Sequence, residues 1–223
     1  MDKSWLSRTM NAFVPMEGVF MSTQPEGGPG GLKPFKSIPA GCTEFMGDSP
    51  PIRKELTAAV TEMLQYHTTH PSADNPVYQN CKDELAAIKE MLTKPYLVPA
   101  GTLLSLVTKH DGKVQGIAVV SRLAGSLRID QASVAPWNIV RPAVNEAAAP
   151  NPFLGVGWQI VDVGLTHCGV VDLTAATDQS AESFTKMGFL TPEGAPLKGG
   201  SFGVLKGDRA EAFKEKVANF RNK

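Results

Sequence analysis

Few cysteines, balanced charge and the lack of a long apolar run exclude several classes of protein for this 223-residue chain. Its three cysteines, Cys42, Cys81 and Cys168, are widely spaced and form no CxxC pair, so we expect reduced thiols in a cytoplasmic protein. Acidic and basic residues number 22 each, which gives no broad attraction to nucleic acid. No apolar run approaches the ~20 residues that would cross a bilayer.

Residues 1–48 are crowded with proline and glycine, including a Gly-Gly-Pro-Gly-Gly run at 27–31. Such a segment sustains neither a helix nor a strand ladder, so it is predicted to be flexible. A short apolar patch near its start has roughly helical spacing and comprises Trp5, Leu6, Met10, Phe13 and Val14. This patch either folds back on the core or docks on a protein partner, and it leaves open export by a specialised bacterial system.

Residues 49–223 are predicted to form one folded domain that opens with two amphipathic helices. The first begins at Ser49 with prolines at its entry, and the second runs from about Asn75 to Lys94. Two extended runs at 103–108 and 114–122 follow, and the Asp-Gly pair between them is a strong hairpin signal. A third strand is predicted over 127–135.

The second half alternates between predicted helices and strands. Helices are expected at 155–167, 180–187 and 208–220, with strands at 170–175 and within 190–205. The order of the predicted elements is helices first, then antiparallel strands, then alternating strands and helices. This order indicates a mixed, mostly antiparallel α/β sheet flanked by helices.

Three segments carry a family resemblance. They are the loop at 134–138 (Val-Ala-Pro-Trp-Asn), the turn at 153–157 (Phe-Leu-Gly-Val-Gly) and the run at 180–189, which ends in Lys-Met-Gly-Phe. In this order they resemble GNAT-type N-acetyltransferases, which transfer the acetyl group of acetyl-CoA to an amine. The resemblance covers roughly residues 100–206 and implies an acyl-CoA N-acyltransferase fold.

The resemblance also implies cofactor-binding positions. The backbone of Ser133 and Val134 would pair with the pantetheine arm of acetyl-CoA, and the amides of five residues at the glycine turn would bind its pyrophosphate. These five residues are Leu154, Gly155, Val156, Gly157 and Trp158. Glycine suits such a turn because a side chain would hold the phosphate away from the backbone. The Arg or Gln common ahead of this turn in the family is absent here.

The general base is left open between several residues. An amine nucleophile must lose a proton, and the usual acceptor is a carboxylate near the strand that ends at 135. Asp130, Glu146 and Asp172 are the candidates, and Ser133 stands where a related bacterial branch carries a glutamate. The tyrosine that often protonates the leaving thiolate appears here as Phe184, which has no proton to give.

Trp137 and Asn138 are predicted to shape the acceptor pocket, because an aromatic ring and an amide beside a cofactor cleft can do so. Their alternative role is to pack under the following loop and to cap the turn. The resemblance thus implies transfer of acetyl to a primary amine by direct attack, without a metal. The alternative is a catalytically impaired relative that binds CoA or docks on a protein partner through residues 1–48.

Overall fold

A computed structural model describes residues 36–71, 76–94, 103–139 and 153–221, and in them a six-stranded sheet is flanked by five helices. The strands are β1 (Lys36–Ser37), β2 (Thr43–Met46), β3 (Leu103–His110), β4 (Lys113–Leu123), β5 (Ser126–Val134), β6 (Phe153–Leu154), β7 (Val171–Thr174) and β8 (Phe202–Leu205). The helices are α1 (Pro50–Thr69), α2 (Pro76–Thr93), α3 (Val156–Cys168), α4 (Asp178–Met187) and α5 (Asp208–Arg221). The predicted mixed sheet is confirmed.

The main sheet has the strand order β2-β3-β4-β5-β7-β8. Every neighbouring pair is antiparallel except β5 and β7, which run parallel and are connected through α3. The short strands β1 and β6 form a separate parallel pair. No helix among the described residues is long and apolar enough to span a membrane.

Most predicted elements appear within a few residues of their expected bounds. Asp111 and Gly112 both have positive φ, 50° and 73°, as the predicted two-residue hairpin turn between β3 and β4 requires. Helix α4 begins at Asp178, two residues before the predicted start, because Thr177 and Ser180 form a capping box there. Of the run 190–205, only the last four residues form a strand, and Leu190 adds an isolated bridge to Val204.

Ordered strands also occur before Ser49, where we expected the domain to begin. The four residues of β2 pair with β3 at the edge of the main sheet, and β1 pairs with β6. The side chain of Gln159, in α3, fastens this stretch: its Nε2 donates to the carbonyl oxygens of Ile38 and Pro39 at 2.9 and 2.7 Å. Its Oε1 accepts from Thr43 Oγ1 at 3.2 Å. The fold therefore uses residues 36–46 as well.

Alternating residues of the central strands feed two apolar cores, one on each face of the sheet. Leu106, Ala118 and Val120 pack with α3, α4 and α5, whereas Val107 and Ile117 pack with α1 and α2. Each helix contributes an amphipathic stripe to its core, as the helical spacing predicted.

Helix α3 lies against the sheet at a place where only glycine fits. A Cβ at Gly116, in β4, would lie 2.4 Å from Val156 Cγ1 and 3.3 Å from the carbonyl oxygen of Ser133. Because a valine methyl is held by a stiff, β-branched side chain, it cannot swing away. The first turn of α3 is thus pressed onto β4 beside the end of β5.

We expect Gly116→Ala to destabilise the protein by about 1–3 kcal/mol, the usual cost of forcing extra volume into a packed core. Gly47→Ala is the matched control, since a Cβ there meets nothing within 4 Å and its φ is not positive. Denaturant unfolding of both variants measures the difference. Equal stability of the two would contradict the tight seating of Val156.

Candidate functional site

Strands β5 and β7 stay together over only three residue pairs. Leu127, Arg128 and Ile129 pair with Val171, Asp172 and Leu173, respectively. Strand β5 then continues for five more residues to Val134 without β7 beside it. The parallel pair therefore opens toward the C-terminal end of β5.

A β-bulge lies where the two strands separate. In the β4–β5 ladder Val119 is opposite Gln131, but the next residue, Val120, is opposite Ile129. Asp130 is thus an extra residue in β5, and such an insertion bends the bulged strand and increases its twist. The bulge accounts for the divergence of β5 from β7.

The bulge also changes which backbone groups face the opening. The Ala135 N–H donates to the Gln115 carbonyl at 2.8 Å, which makes these opposite residues a hydrogen-bonded pair. In an antiparallel ladder such pairs alternate, so the N–H and C=O groups of Ala132 and Val134 point away from β4. Before the bulge, Leu127 turns its N–H toward β7 and donates to the Val170 carbonyl at 3.0 Å. Beyond it, even-numbered residues face the opening.

The glycine turn leads directly into α3. Gly155 has the left-handed conformation, φ 80°, that glycine adopts without strain, and it is the N-cap of the helix. The first intrahelical bond runs from the Gln159 N–H to the Gly155 carbonyl at 3.0 Å. The amides of Val156, Gly157 and Trp158 therefore precede the helical ladder and lie at the positive end of the helix dipole.

The C-terminal helix covers one side of this turn. A Cβ at Gly155 would lie 2.7 Å from Phe220 Cε1, so the phenyl ring rests against the glycine. Trp158 packs between rings of the same helix, 5.5 Å from Phe213 and 6.1 Å from Phe220 between centroids. Leu154, just before the turn, is half-buried.

Gln115 and Asn138 attach the turn to the end of β5. The Asn138 amide nitrogen donates to the backbone oxygen and to Oε1 of Gln115, at 3.2 and 3.1 Å, and its Oδ1 accepts from the Phe153 N–H at 2.9 Å. The buried Asn138 thus links β4 with β6, which is a structural role. Trp137 is half-buried and donates its indole N–H to the same Gln115 Oε1 at 2.9 Å, with its ring edge-on to Tyr66. An acceptor-binding role for both residues stays a prediction.

Of the candidate carboxylates, Asp130 lies where the strands part, and Asp172 lies opposite Arg128 within the paired stretch. Asp130 accepts a hydrogen bond from Ser121, yet burial raises its pKa above the ordinary value of 3.8. Burial also raises the pKa of Asp172, which accepts from Ser126 Oγ at 2.7 Å. Arg128 Nε lies 3.4 Å from Asp172 Oδ1. The pKa of Asp130 is therefore shifted upward, which is the direction that suits a general base working near neutral pH.

The other two candidates have different outcomes. Glu146 lies outside the described residues. Ser133 is buried, and its hydroxyl lies 3.1 Å from the carbonyl oxygen of Val134 and 3.4 Å from Cys81 Sγ. A neutral hydroxyl in that place is a hydrogen-bond partner and not a base.

Phe184 occupies the core beneath this region. Its side chain is fully buried and packs edge-on against Phe189, with ring centroids 5.6 Å apart. A phenyl ring can donate no proton to a leaving thiolate. Any acid must therefore come from another group or from water.

Sequence reasoning missed a polar chain formed by α1, α2 and β5. The His67 Nε2 atom lies 3.4 Å from Cys81 Sγ, which in turn lies 3.4 Å from the Val134 carbonyl oxygen. The available signal was that His67 and Cys81 both fall on the apolar stripe of an amphipathic helix, where a polar side chain needs a partner. Among the residues with described side chains, no group of three or more His, Cys, Asp or Glu could hold a metal ion.

The sequence matches no protein-family model and no curated protein. Solved structures that resemble the chain include three acetyltransferases. One is described as histone acetyltransferase HPA2 and related acetyltransferase, from Corynebacterium glutamicum, with 12% identity, a TM-score of 0.41, and coverage of 74% of this chain and 96% of that one.

The second is a GNAT family acetyltransferase from Brucella melitensis in complex with acetyl-CoA, with 18% identity, a TM-score of 0.34, and coverage of 72% and 94%. The third is a PaiA N-acetyltransferase from Thermoplasma acidophilum in complex with coenzyme A, with 11% identity, a TM-score of 0.37, and coverage of 73% and 96%. At these identities and TM-scores, none of the three likenesses assigns a function to this chain.

The raised pKa of Asp130 predicts how stability depends on pH. The folded state holds the proton more tightly than the unfolded state, so the free energy of unfolding falls as pH rises from about 4 through the raised pKa of the folded protein. Asp130→Asn removes this contribution and flattens the profile in that range. Denaturant unfolding at a series of pH values measures it, with the exposed Glu215→Gln as the control that keeps the wild-type slope. An unchanged slope in Asp130→Asn would contradict the assignment.

Proposed function

We propose that the chain is an acyl-CoA-dependent N-acyltransferase that transfers an acetyl group from acetyl-CoA to a primary amine by direct attack. The observation that carries this proposal is the opening between β5 and β7, which begins at the Asp130 bulge. An extended pantetheine arm can lie along an unpaired strand edge as an additional strand would, with backbone hydrogen bonds on one side.

The helix beside the opening supports an anionic ligand. The amides of Val156, Gly157 and Trp158 precede the helical ladder, and helix N-termini of this kind bind phosphate without basic side chains. Gln115 and Asn138 hold this turn near the end of β5. A ligand with a pyrophosphate at one end and an extended arm at the other fits both features.

The proposed reaction needs a base and a carbonyl-binding group. The amine nitrogen attacks the thioester carbon, the C–S bond breaks, and the amine proton moves to a base, while the thiolate of CoA leaves and takes up a proton. The outward N–H of Val134 is suited to receive the thioester oxygen as negative charge develops there. Asp130 is the proposed base, with Asp172 as the second candidate.

A second candidate function follows from Phe184. Because this buried ring supplies no proton, the chain could bind acyl-CoA without turning it over, as a CoA-binding or partner-binding module. A thiol of CoA is a fair leaving group, and general acid–base help is typically worth about 100- to 10,000-fold, so loss of an acid slows transfer without abolishing it. We therefore favour the enzyme.

A charge placed next to the glycine turn tests the cofactor site. Leu154→Glu puts a negative charge before the N-terminus of α3, where it favours the helix but repels a pyrophosphate. We expect this variant to bind acetyl-CoA about tenfold more weakly than the neutral Leu154→Gln. Calorimetric titration at low and high salt measures the difference, which should shrink with salt. Equal affinities of the two variants at low salt would contradict the site.

Asp130→Asn tests the base. With acetyl-CoA and a panel of primary amines, release of the CoA thiol should fall about 100- to 10,000-fold in the variant, since an amide accepts no proton. Glu215→Gln is the control and keeps the wild-type rate. If wild-type protein binds acetyl-CoA but releases no CoA with any amine, the binding module replaces the enzyme as the preferred function.

A further inference from the structure

The buried polar chain ends at the backbone that the proposed reaction uses. His67 from α1, Cys81 from α2 and Ser133 from β5 are all buried, and they meet at Cys81 Sγ with both distances to the sulfur at 3.4 Å. The same sulfur lies 3.4 Å from the carbonyl oxygen of Val134. Cys81 and Ser133 thus contact one backbone carbonyl at the open edge of β5, and His67 contacts Cys81 from behind.

A nucleophilic role for this cysteine is ruled out by its surroundings. A thiol beside an imidazole has the composition of a catalytic dyad. Cys81, however, is 0% exposed. Burial also raises its pKa to about 12, against the lowering that an activated thiolate needs. Cys81 is therefore a neutral thiol with one S–H proton to donate.

The proton assignments along the chain follow from that neutrality. The thiol donates to the Val134 carbonyl, so His67 must present an N–H at Nε2 toward the sulfur. The His67 ring is held by Tyr78, whose centroid lies 4.1 Å away and whose hydroxyl donates to the His70 carbonyl at 2.7 Å. Tyr78 thereby holds in place the imidazole that faces the Cys81 sulfur.

The Val134 carbonyl would otherwise compete for the ligand. It points into the opening together with the N–H of the same residue, because the Ala135 N–H, on the opposite side of the same peptide group, donates to Gln115 in β4. Cys81 donates to this carbonyl, and the one Ser133 hydroxyl proton is shared between the carbonyl, at 3.1 Å, and Cys81 Sγ, at 3.4 Å, so the protein already engages the carbonyl. The N–H is then the group of Val134 that remains for a thioester oxygen.

We propose that His67, Cys81 and Ser133 are positioning residues: Cys81, held by His67, and Ser133 engage the Val134 carbonyl and so aim the N–H of the same residue at the thioester oxygen of acetyl-CoA. This inference rests on the proposed function. It assigns a role to buried residues that touch no substrate. It also gives a function to the polar side chains that His67 and Cys81 place on the buried faces of α1 and α2.

The test compares acetyl-CoA with CoA, which lacks the thioester carbonyl. Calorimetry gives the two dissociation constants for wild type, Cys81→Ala and Ser133→Ala. We expect acetyl-CoA binding to weaken about five- to tenfold in Cys81→Ala, the worth of one net hydrogen bond, while CoA binding stays within about twofold. Cys81→Ser, which keeps a donor, should restore part of the ratio.

Ile88→Val is the matched control, because it removes one methyl group from the same buried face of α2 without touching the polar chain. It should leave the ratio of the two dissociation constants unchanged. If Cys81→Ala fails to fold, Ser133→Ala carries the same comparison with a smaller loss of volume.

Equal weakening of both ligands, or an unchanged ratio in Cys81→Ala and Ser133→Ala, would overturn the positioning role and leave the proposed function standing. Wild-type protein that binds neither ligand would overturn the proposed function, and the positioning role with it. The infrared band of the carbonyl-labelled thioester gives an independent readout: it should shift on binding to wild type, and the shift should be smaller in Cys81→Ala.

Discussion

At Asp130, β5 contains one residue more than β4 opposite it, and the arrangement of the candidate site depends on this insertion. It turns the strand away from β7 after three residue pairs. Before the insertion the odd-numbered residues of β5 direct their N–H and C=O groups away from β4, and after it the even-numbered residues do so. The same residue has its carboxylate partly buried at the point of divergence. A single change of register thus accounts for the opening between β5 and β7 and for the backbone N–H groups that face it. It also places Asp130, whose pKa is raised, at the start of the opening.

Buried polar side chains at this end of the sheet form hydrogen bonds that connect the elements around the opening. Gln115 and Asn138 join β4 to β6, and Gln159 joins α3 to the stretch before β2. Burying an amide without partners costs a few kcal/mol, but each of these amides makes at least two hydrogen bonds. Their directional bonds fix the glycine turn relative to β5, which apolar packing alone specifies less sharply.

The sequence predicted those features that are local. The Asp-Gly hairpin, the glycines at both ends of α3 and the amphipathic helices each depend on residues close together in the chain, so their chemistry is readable without a partner. Strand β2 escaped prediction because four residues at a sheet edge, next to a glycine- and proline-rich stretch, offer too short an alternation.

The site was predictable only in outline. The order of motifs led to the glycine turn and to the end of β5, and the described structure brings these together through Gln115 and Asn138. The bulge was not visible, since an extra residue is defined only against the strand opposite it. The contact of Cys81 with Ser133 joins positions 52 residues apart, and neither helical spacing nor composition reports such a meeting.

The hydrogen bonds from Gln159 to Ile38 and Pro39 bear on the order in which the protein folds. The contact of Gln159 with Ile38 joins residues 121 positions apart. Closing so long a loop costs conformational entropy, and the hydrogen bonds that compensate for it form only once α3 is packed on the sheet. We infer that the hairpin of β3 and β4 and the helix α3 assemble first, and that residues 36–46 join them afterwards. In that order, a stretch that precedes the rest of the fold in the sequence is among the last to be assembled.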